Sequence, residues 1–164
     1  MSGQDHGTPE PVNERIFPIP PVVAGLFIAS GWLLNHFVPL QDRSGPAATE
    51  SRIAGAAVVA CAFAIAGLAL LQMRRSRTTF HPGGRANALV QGGVFQRSRN
   101  PMYLSLTLLT LGLGILSADL WMSLLAPLLL LYLQERVVKR EEAYLTQRFG
   151  AEYAAYRSKV RRWF

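Results

Sequence analysis

Long apolar runs alternate with short polar segments along the chain. The first two runs cover residues 22–40 and 53–73 and are 19 and 21 residues long. About 20 apolar residues in an α-helix cross the ~30 Å hydrocarbon core of a bilayer, because each residue adds about 1.5 Å of length. Both runs are therefore predicted to be transmembrane helices.

A third apolar run covers residues 102–132, and Asp119 is its only charged residue. As a single helix, this run would be about 46 Å long, which exceeds the thickness of the hydrocarbon core. Ser117, Ala118 and Asp119 interrupt it, and serine and aspartate are favoured N-cap residues. We therefore predict two shorter spans, residues 102–117 and 119–134, that form a helical hairpin.

From residue 135 onwards the pattern becomes amphipathic. Apolar residues recur at spacings of three and four, which is typical of a helix with one buried face. The stripe consists of Val138, Leu145, Phe149, Tyr153, Tyr156 and Val160, with Glu142 inside it. A carboxylate on an apolar face is costly unless a partner or a ligand satisfies it.

Together these elements predict an all-α integral membrane protein with four transmembrane helices, the last two forming a short hairpin. A C-terminal amphipathic helical segment is expected to lie in the cytoplasm. Residues 1–17 are polar, with Gly and Pro, and are expected to form a flexible tail. Residues 18–164 are expected to form a single membrane domain, since 164 residues are typical of one domain.

Basic residues are concentrated in two segments of the chain, whose net formal charge is +7. Six arginines and no acidic residue lie between residues 74 and 99, and a second basic segment follows residue 134. Positive segments beside spans are retained in the cytoplasm and attract anionic lipids. Four spans place both segments and both termini on the cytoplasmic side of what we expect to be a bacterial inner membrane. The same explanation accounts for the charge without nucleic-acid binding.

The residues that commonly bind metals or act as nucleophiles form no recognisable pattern. The three histidines are scattered over tail, span and loop, and Cys61 lies among small apolar residues. No metal is therefore expected. Gly112 and Gly114 lack the third glycine of a dinucleotide-binding loop, and a small-residue helix-packing face explains them better.

Two polar segments bracket the predicted hairpin and are expected to meet at one membrane surface. Arg97 and Arg99 precede the hairpin, and Glu141 and Glu142 follow it. Paired carboxylates can hold a sulfonium or the hydroxyls of a ribose, and arginines can hold a carboxylate or a phosphate. The residues alone leave another interpretation open, in which the acids are solvated helix charges and the arginines are lipid anchors.

Both segments match recognisable motifs. Residues 89–103 read LVQGGVFQRSRNPMY, which is similar to the pattern L-V-x-x-G-x-Y/F-x-x-x-R-H/N-P-x-Y. Residues 141–156 read EEAYLTQRFGAEYAAY, which is similar to E-E-x-x-L-x-x-x-F-G-x-x-Y-x-x-Y. In this order around an apolar hairpin, the motifs resemble the isoprenylcysteine carboxyl methyltransferase family and its relatives, the phospholipid methyltransferases. The resemblance covers about half of the chain, residues 78–161.

The resemblance implies an S-adenosylmethionine-dependent methyltransferase whose cofactor site is formed by residues 89–103 and 135–160. The expected cofactor-binding residues are Val94, Phe95, Asn100, Pro101, Tyr103, Gly112, Gly114, Glu141 and Glu142. The expected catalytic residues are Arg99, Asn100 and Tyr103. Asn100 stands where many members have histidine, and its amide can form hydrogen bonds but cannot titrate near neutral pH.

The resemblance also implies a lipophilic methyl acceptor at the cytoplasmic membrane face. We expect a carboxylate of the isoprenylcysteine type, which is already ionised at neutral pH and which Arg99 or Arg97 would orient. The substrate would be a small lipophilic molecule or a prenylated protein, and membrane lipids would be the other partner. An amine acceptor would need a glutamate or a tyrosine to remove its proton. Two alternatives stay open, an NADPH-dependent enzyme similar to the sterol reductases and a non-catalytic membrane scaffold.

Overall fold

The computed structural model describes residues 19–40, 47–76 and 88–164, and the tail predicted over residues 1–17 lies outside these ranges. Within them the structure consists of helices and turns without a strand, which confirms the all-α prediction. The helices are α1 Pro20–Phe37, α2 Ala47–Arg75, α3 Pro101–Leu116, α4 Leu120–Leu133 and α5 Lys139–Lys159. A 3₁₀ turn, Gly93–Gln96, precedes α3, and a π-helical segment, Gln134–Val138, joins α4 to α5.

Two helical stretches are long and apolar enough to cross a membrane, Thr49–Arg75 and the continuous stretch Leu120–Lys159. Helix α3 is a shorter apolar helix. Large apolar side chains on the surfaces of α1, α2 and α4 are exposed, among them Trp32, Phe63 and Leu128. A bilayer solvates such side chains, whereas a continuous exposed apolar surface is rare on a protein in water.

Helix α2 begins at Ala47, earlier than the start predicted for its span at residue 53. The helix therefore extends beyond the predicted span at its N-terminal end. Alanine has the highest helix propensity of any residue, and Glu50 in the first turn interacts favourably with the helix dipole. Both effects extend the helix into residues that are too polar to belong to the apolar run.

The predicted break between α3 and α4 is confirmed. Ala118 has a φ of 50°, and Asp119 is the N-cap of α4. The Asp119 Oδ1 atom accepts a hydrogen bond of 2.9 Å from the backbone N–H of Met122. This bond satisfies one of the amide groups that the first turn of a helix leaves free, and Asp119 is only 2% exposed.

Glycines allow close contacts between the helices at the end of the bundle near Asp119. A Cβ atom on Gly55 of α2 would lie 2.6 Å from the Cα of Leu116, and one on Gly31 of α1 would lie 2.7 Å from the Cα of Met122. Backbone atoms cannot move aside as the end of a side chain can. Helices α2 and α3, and likewise α1 and α4, therefore approach each other at distances that only glycine permits at these positions.

Helix α5 is not straight, because Gly150 has φ 49° and ψ −119°. This is a conformation that only glycine adopts without strain. The side chains of Glu142 and Arg162 meet at 2.7 Å, although 20 residues of straight helix would separate them by about 30 Å. The prediction of one continuous stripe along one helix is therefore wrong: the chain reverses at Gly150 into a C-terminal hairpin with arms at residues 139–149 and 151–159.

The buried apolar side chains form two groups, one within the helix bundle and one in the C-terminal hairpin. The first joins Val23 of α1 to Tyr103 of α3 and to Leu133 and Val138 around the π-helical segment. The second joins Tyr153, Tyr156 and Val160, which belong to the stripe predicted from the sequence. The loop before α3 and the C-terminal hairpin are thereby brought to the same end of the bundle, opposite Asp119.

Candidate functional site

The site begins at the entrance to α3, in the loop 98–100. Pro101 occupies the first turn of the helix, where its missing N–H would have had no helical partner. Asn100 occupies the N-cap position, but its side chain does not cap the helix. It is buried, and its Nδ2 atom instead donates a hydrogen bond of 3.2 Å to the backbone carbonyl of Arg162. This places Asn100 as a link between the loop and the chain beyond α5.

The Glu142 carboxylate lies between two arginines, and we call Arg99, Glu142 and Arg162 the charge cluster. The Arg162 Nε and Nη2 atoms donate to the two oxygens of Glu142 at 3.0 and 2.7 Å. The Arg99 Nη1 atom lies 3.2 Å from the Glu142 Oε1 atom. The side chains of Arg99 and Glu142 are only 8% and 9% exposed. The sequence-based expectation that Glu142 needs a partner on its apolar face is thereby met.

The two arginines give the charge cluster a net positive charge. The hydrogen bonds to Glu142 raise the pKa of Arg162 above its ordinary value. Two guanidinium groups face one Glu142 carboxylate, so the charge cluster has more positive than negative charge. The Arg99 Nε atom is buried and has no hydrogen-bond partner among the described residues. A buried donor without a partner costs about 1–3 kcal/mol, which the ion pair between Arg99 and Glu142 helps to offset.

Glu141 belongs to a second contact beside the charge cluster. The Tyr103 hydroxyl donates a hydrogen bond of 2.8 Å to the Glu141 Oε2 atom, and Tyr103 is 3% exposed. This bond holds one oxygen of the carboxylate in place. A carboxylate offers about four acceptor positions, so Glu141 keeps the capacity to bind hydroxyl or ammonium groups.

The second arm of the C-terminal hairpin closes the site through two tyrosines. The Arg99 Nη1 atom donates to the Tyr153 hydroxyl at 3.4 Å. The Tyr156 hydroxyl donates to the Phe95 carbonyl at 2.6 Å, which fastens the 3₁₀ turn to the hairpin. Phe95 and its neighbour Val94 therefore lie at the edge of the site, where the sequence predicted them.

Residues 161–164, which we call the closing segment, complete the site and were not predicted from the sequence. The Arg161 carbonyl accepts from the Arg99 N–H at 3.1 Å, and the Arg162 carbonyl accepts from the Ser98 hydroxyl at 3.2 Å. The Trp163 Nε1 atom donates to the Gln134 side chain in the π-helical segment at 3.0 Å. The basic character of this segment indicated a topology signal, and no sequence feature marked Arg162 as the partner of Glu142.

The structure does not bring Gly112 and Gly114 into the site. A Cβ atom on Gly112 would meet Val59 of α2 at 2.9 Å, and one on Gly114 would meet the Ser123 backbone nitrogen of α4 at 2.7 Å. Gly112 lies nine residues after Tyr103, which is about 13 Å along α3. Both glycines serve contacts between helices, which is the alternative that their spacing favoured.

Two cavities lie among the described residues, one in the C-terminal hairpin and one between the helices of the bundle. One of about 360 Å³ is lined by Thr146, Tyr153, Arg157 and Ser158 between the arms of the C-terminal hairpin. The Tyr153 hydroxyl also accepts a hydrogen bond from Arg99, so this cavity adjoins the charge cluster. Its volume is near the lower limit of about 300 Å³ that is typical of small-molecule sites.

The other cavity is an apolar groove of about 400 Å³ between α1, α3 and α4. Its lining includes Gly25, Ile28 and Ala29 of α1 and Leu113 and Leu116 of α3. These residues are almost entirely apolar, and the groove lies in the part of the bundle near Asp119, away from the charge cluster. Such a lining suits a hydrocarbon chain better than a polar ligand.

Comparisons with known proteins agree with the two motifs around the hairpin. An uncharacterized protein of Haemophilus influenzae is 41% identical over 66 residues, which are 38% of this chain and 98% of the relative. No solved structure matches the chain significantly. A family model described as phospholipid methyltransferase matches residues 51–152, which is more than half of the chain. The predicted family is therefore confirmed, and the chain belongs to the phospholipid methyltransferase family, whose members are methyltransferases that act on lipid-related substrates.

Proposed function

We propose that the protein is an S-adenosylmethionine-dependent methyltransferase that methylates the carboxylate of a lipophilic acceptor. The observation that carries this proposal is the meeting of the two motif segments at one end of the bundle. Arg99 and Glu142 are 3.2 Å apart, and Tyr103 and Glu141 are 2.8 Å apart, although about 40 residues separate the partners along the chain. In a methyltransferase family, such a buried arrangement of acids and arginines supports a cofactor site.

The residues present fit this cofactor. S-adenosylmethionine, when bound, supplies a methyl group on a positively charged sulfonium, and it also carries an ammonium and a ribose with two hydroxyls. Glu141 accepts from Tyr103 with one oxygen and keeps acceptor positions for such donors. The adjoining 360 Å³ cavity supports binding of a small molecule on this side of the hairpin. Val94, Phe95 and Pro101 would line the edge of the same site.

The excess positive charge of the charge cluster supports a carboxylate as the methyl acceptor. Two guanidinium groups face the single carboxylate of Glu142. A carboxylate is ionised at neutral pH, so it needs no general base. The task of Arg99 would be to hold and orient this group, which supplies rate by positioning and by exclusion of water.

The apolar groove between α1, α3 and α4 supports a substrate with a hydrocarbon chain. Gly25 leaves open space on the surface of α1, and the groove is lined by side chains such as Ile28 and Leu113. A lipophilic small molecule or a prenylated protein would insert its chain here from the bilayer. Membrane lipids would surround the rest of the bundle.

We propose that α1, α2, α3 and α4 are four transmembrane helices with both termini in the cytoplasm, in a bacterial inner membrane. The basic residues support this topology, because those at the end of α2 and those of α5 lie at the same end of the bundle as the charge cluster. The C-terminal hairpin would then lie at the cytoplasmic surface, where S-adenosylmethionine is available.

Calorimetric titration of the detergent-purified protein with S-adenosylhomocysteine tests the cofactor. We expect micromolar binding that weakens by about tenfold or more in Glu141→Gln, because a charged acceptor is lost. Glu135→Gln is the matched control, since Glu135 is exposed and forms its ion pair with the exposed Lys139. Binding of NADPH instead of S-adenosylhomocysteine would contradict the proposal and favour a reductase, and binding of neither would favour a scaffold.

Methyl transfer from labelled S-adenosylmethionine then tests the acceptor class. A farnesylated cysteine with a free carboxyl group is compared with its methyl ester and with phosphatidylethanolamine vesicles. We expect transfer to the free carboxyl compound alone. Transfer to phosphatidylethanolamine would show that the acceptor is an amine.

A further inference from the structure

We propose that Arg162 is a positioning residue of the cofactor site, which holds the Glu142 carboxylate in a fixed orientation. Ser98 and Asn100 in turn hold Arg162 in place. The proposal rests on the proposed function, because it concerns how one of the expected cofactor-binding carboxylates is oriented. It adds the closing segment, residues 161–164, to a site expected from residues 89–103 and 135–160.

Arg162 contacts both oxygens of the Glu142 carboxylate. The Arg162 Nε and Nη2 atoms bond to the two different oxygens of Glu142 at 3.0 and 2.7 Å. A guanidinium that binds both oxygens fixes the plane of the carboxylate, whereas a single contact leaves the carboxylate free to rotate. Arg99 contacts Glu142 through Nη1 alone, at 3.2 Å. Arg162 is therefore the partner that determines the orientation of Glu142.

Hydrogen bonds to the backbone of the closing segment hold Arg162 in place. The carbonyl of Arg162 accepts two hydrogen bonds of 3.2 Å, from the Ser98 hydroxyl and from the Asn100 side chain. The carbonyl of Arg161 accepts from the N–H of Arg99. The loop that carries Arg99 thus also fixes the position of Arg162. Asn100 performs this task with an amide donor, so the task does not require a titrating imidazole.

The buried Glu142 carboxylate is neutralised by two arginines. Glu142 is 7% exposed, and a buried carboxylate is stable only when cations and hydrogen-bond donors surround it. Arg162 supplies the second cation, so Arg99 does not have to neutralise Glu142 alone. The orientation and the burial of the Glu142 carboxylate therefore both depend on Arg162.

Calorimetric titration with S-adenosylhomocysteine tests this proposal on four variants of the full chain in detergent. They are Arg162→Gln, Arg162→Lys, Glu142→Gln and the double variant with both glutamines. Arg148→Gln is the matched control, because Arg148 is exposed on the first arm of the same hairpin and the substitution removes the same charge. The melting temperature of each variant without ligand is measured in parallel.

We expect Arg162→Gln to weaken binding by about tenfold or more, since it leaves a buried carboxylate with one cation. Arg162→Lys should retain more affinity, because it keeps the charge and loses only the two-oxygen geometry. In the Glu142→Gln background, loss of Arg162 should change the affinity little, because contacting residues that act through each other are not additive.

The outcomes separate the two proposals. If the unaltered chain binds S-adenosylhomocysteine and Arg162→Gln binds it equally well, the role of Arg162 is refuted while the proposed function stands. That role is also refuted if Arg162→Gln lowers only the melting temperature, since a purely structural role leaves the affinity of the folded molecules unchanged. If the unaltered chain does not bind, both proposals fail together.

Discussion

Asp119 and Glu142 are buried carboxylates at opposite ends of the bundle, and they are satisfied in different ways. Asp119 accepts from the N–H of Met122, three residues further along the chain. Glu142 depends on Arg162 and Arg99, which are 20 and 43 residues away along the chain. The first arrangement is complete once one helix begins, whereas the second requires the entire fold. A carboxylate whose partner is a neighbour along the chain stabilises a turn. A carboxylate whose partners are distant along the chain belongs to a site that forms only when several elements meet.

The largest effect should come from removal of the charge on Glu142. Glu142→Gln leaves two guanidiniums, one of them buried, without their carboxylate, and we expect the free energy of unfolding to fall by about 3–5 kcal/mol. Thermal unfolding in detergent measures the loss. Glu152→Gln is the control, because Glu152 is exposed and bonds to the side chain of Gln91 at the surface. An equal effect of the two substitutions would contradict the dependence of Glu142 on the charge cluster.

A substitution at the opposite end should be less costly. Gly55→Ala would place a Cβ atom against the backbone of Leu116 and force α2 and α3 apart, at an expected cost of about 2–3 kcal/mol. In Gly67→Ala, on the same helix, the new atom has no neighbour within 4 Å, and the free energy of unfolding should stay constant or rise slightly. Equal melting temperatures of the two variants would mean that α2 and α3 are not in close contact at Gly55.

The reversal at Gly150 has a cost that arises from the backbone alone. An added Cβ atom would touch nothing within 4 Å, but the φ of 49° disfavours any residue with a side chain. We expect Gly150→Ala to lower the free energy of unfolding by about 1–2 kcal/mol and to weaken S-adenosylhomocysteine binding. Gly25→Ala, a helical position with open space, serves as the reference. Unchanged stability and affinity in Gly150→Ala would argue against the reversal.

The smallest effect is expected at Asp119, whose carboxylate accepts a hydrogen bond from a neighbour along the chain. Asp119→Ala removes the N-cap of α4, which should cost about 1 kcal/mol in unfolding free energy. Asp119→Asn should retain most of that stability, because its side-chain oxygen still accepts from the Met122 N–H. S-adenosylhomocysteine affinity should be the same in both variants, since the turn lies at the far end from the charge cluster. A changed affinity would mean that the two ends are coupled.

The sequence predicted the features that depend on neighbours along the chain. The lengths of the apolar runs predicted the helices, and Ser117 to Asp119 predicted the turn between α3 and α4. The two motifs identified the family and predicted that Arg99, Tyr103, Glu141 and Glu142 would lie together. The structure brings these four side chains together, while their roles towards a cofactor stay predictions.

The sequence did not predict the features that depend on the path of the whole chain. Gly150 matched a motif, but a glycine inside a helical pattern does not by itself indicate a reversal rather than a tolerated residue. Without that reversal, Arg162 and Trp163 had no reason to lie near Glu142 and Gln134. Long-range pairing of charges is the information that helical periodicity does not contain.

The π-helical segment, Gln134–Val138, accommodates one more residue than an α-helical turn while it completes the same full rotation. Deletion of one residue from this segment would therefore leave an α turn, and Glu141 and Glu142 would still face the site. The same deletion from the α-helical turn that follows would rotate both carboxylates by about 100° about the helix axis, without altering either side chain. The π turn is thus the place in this helix where the chain can lose a residue without turning the two carboxylates away.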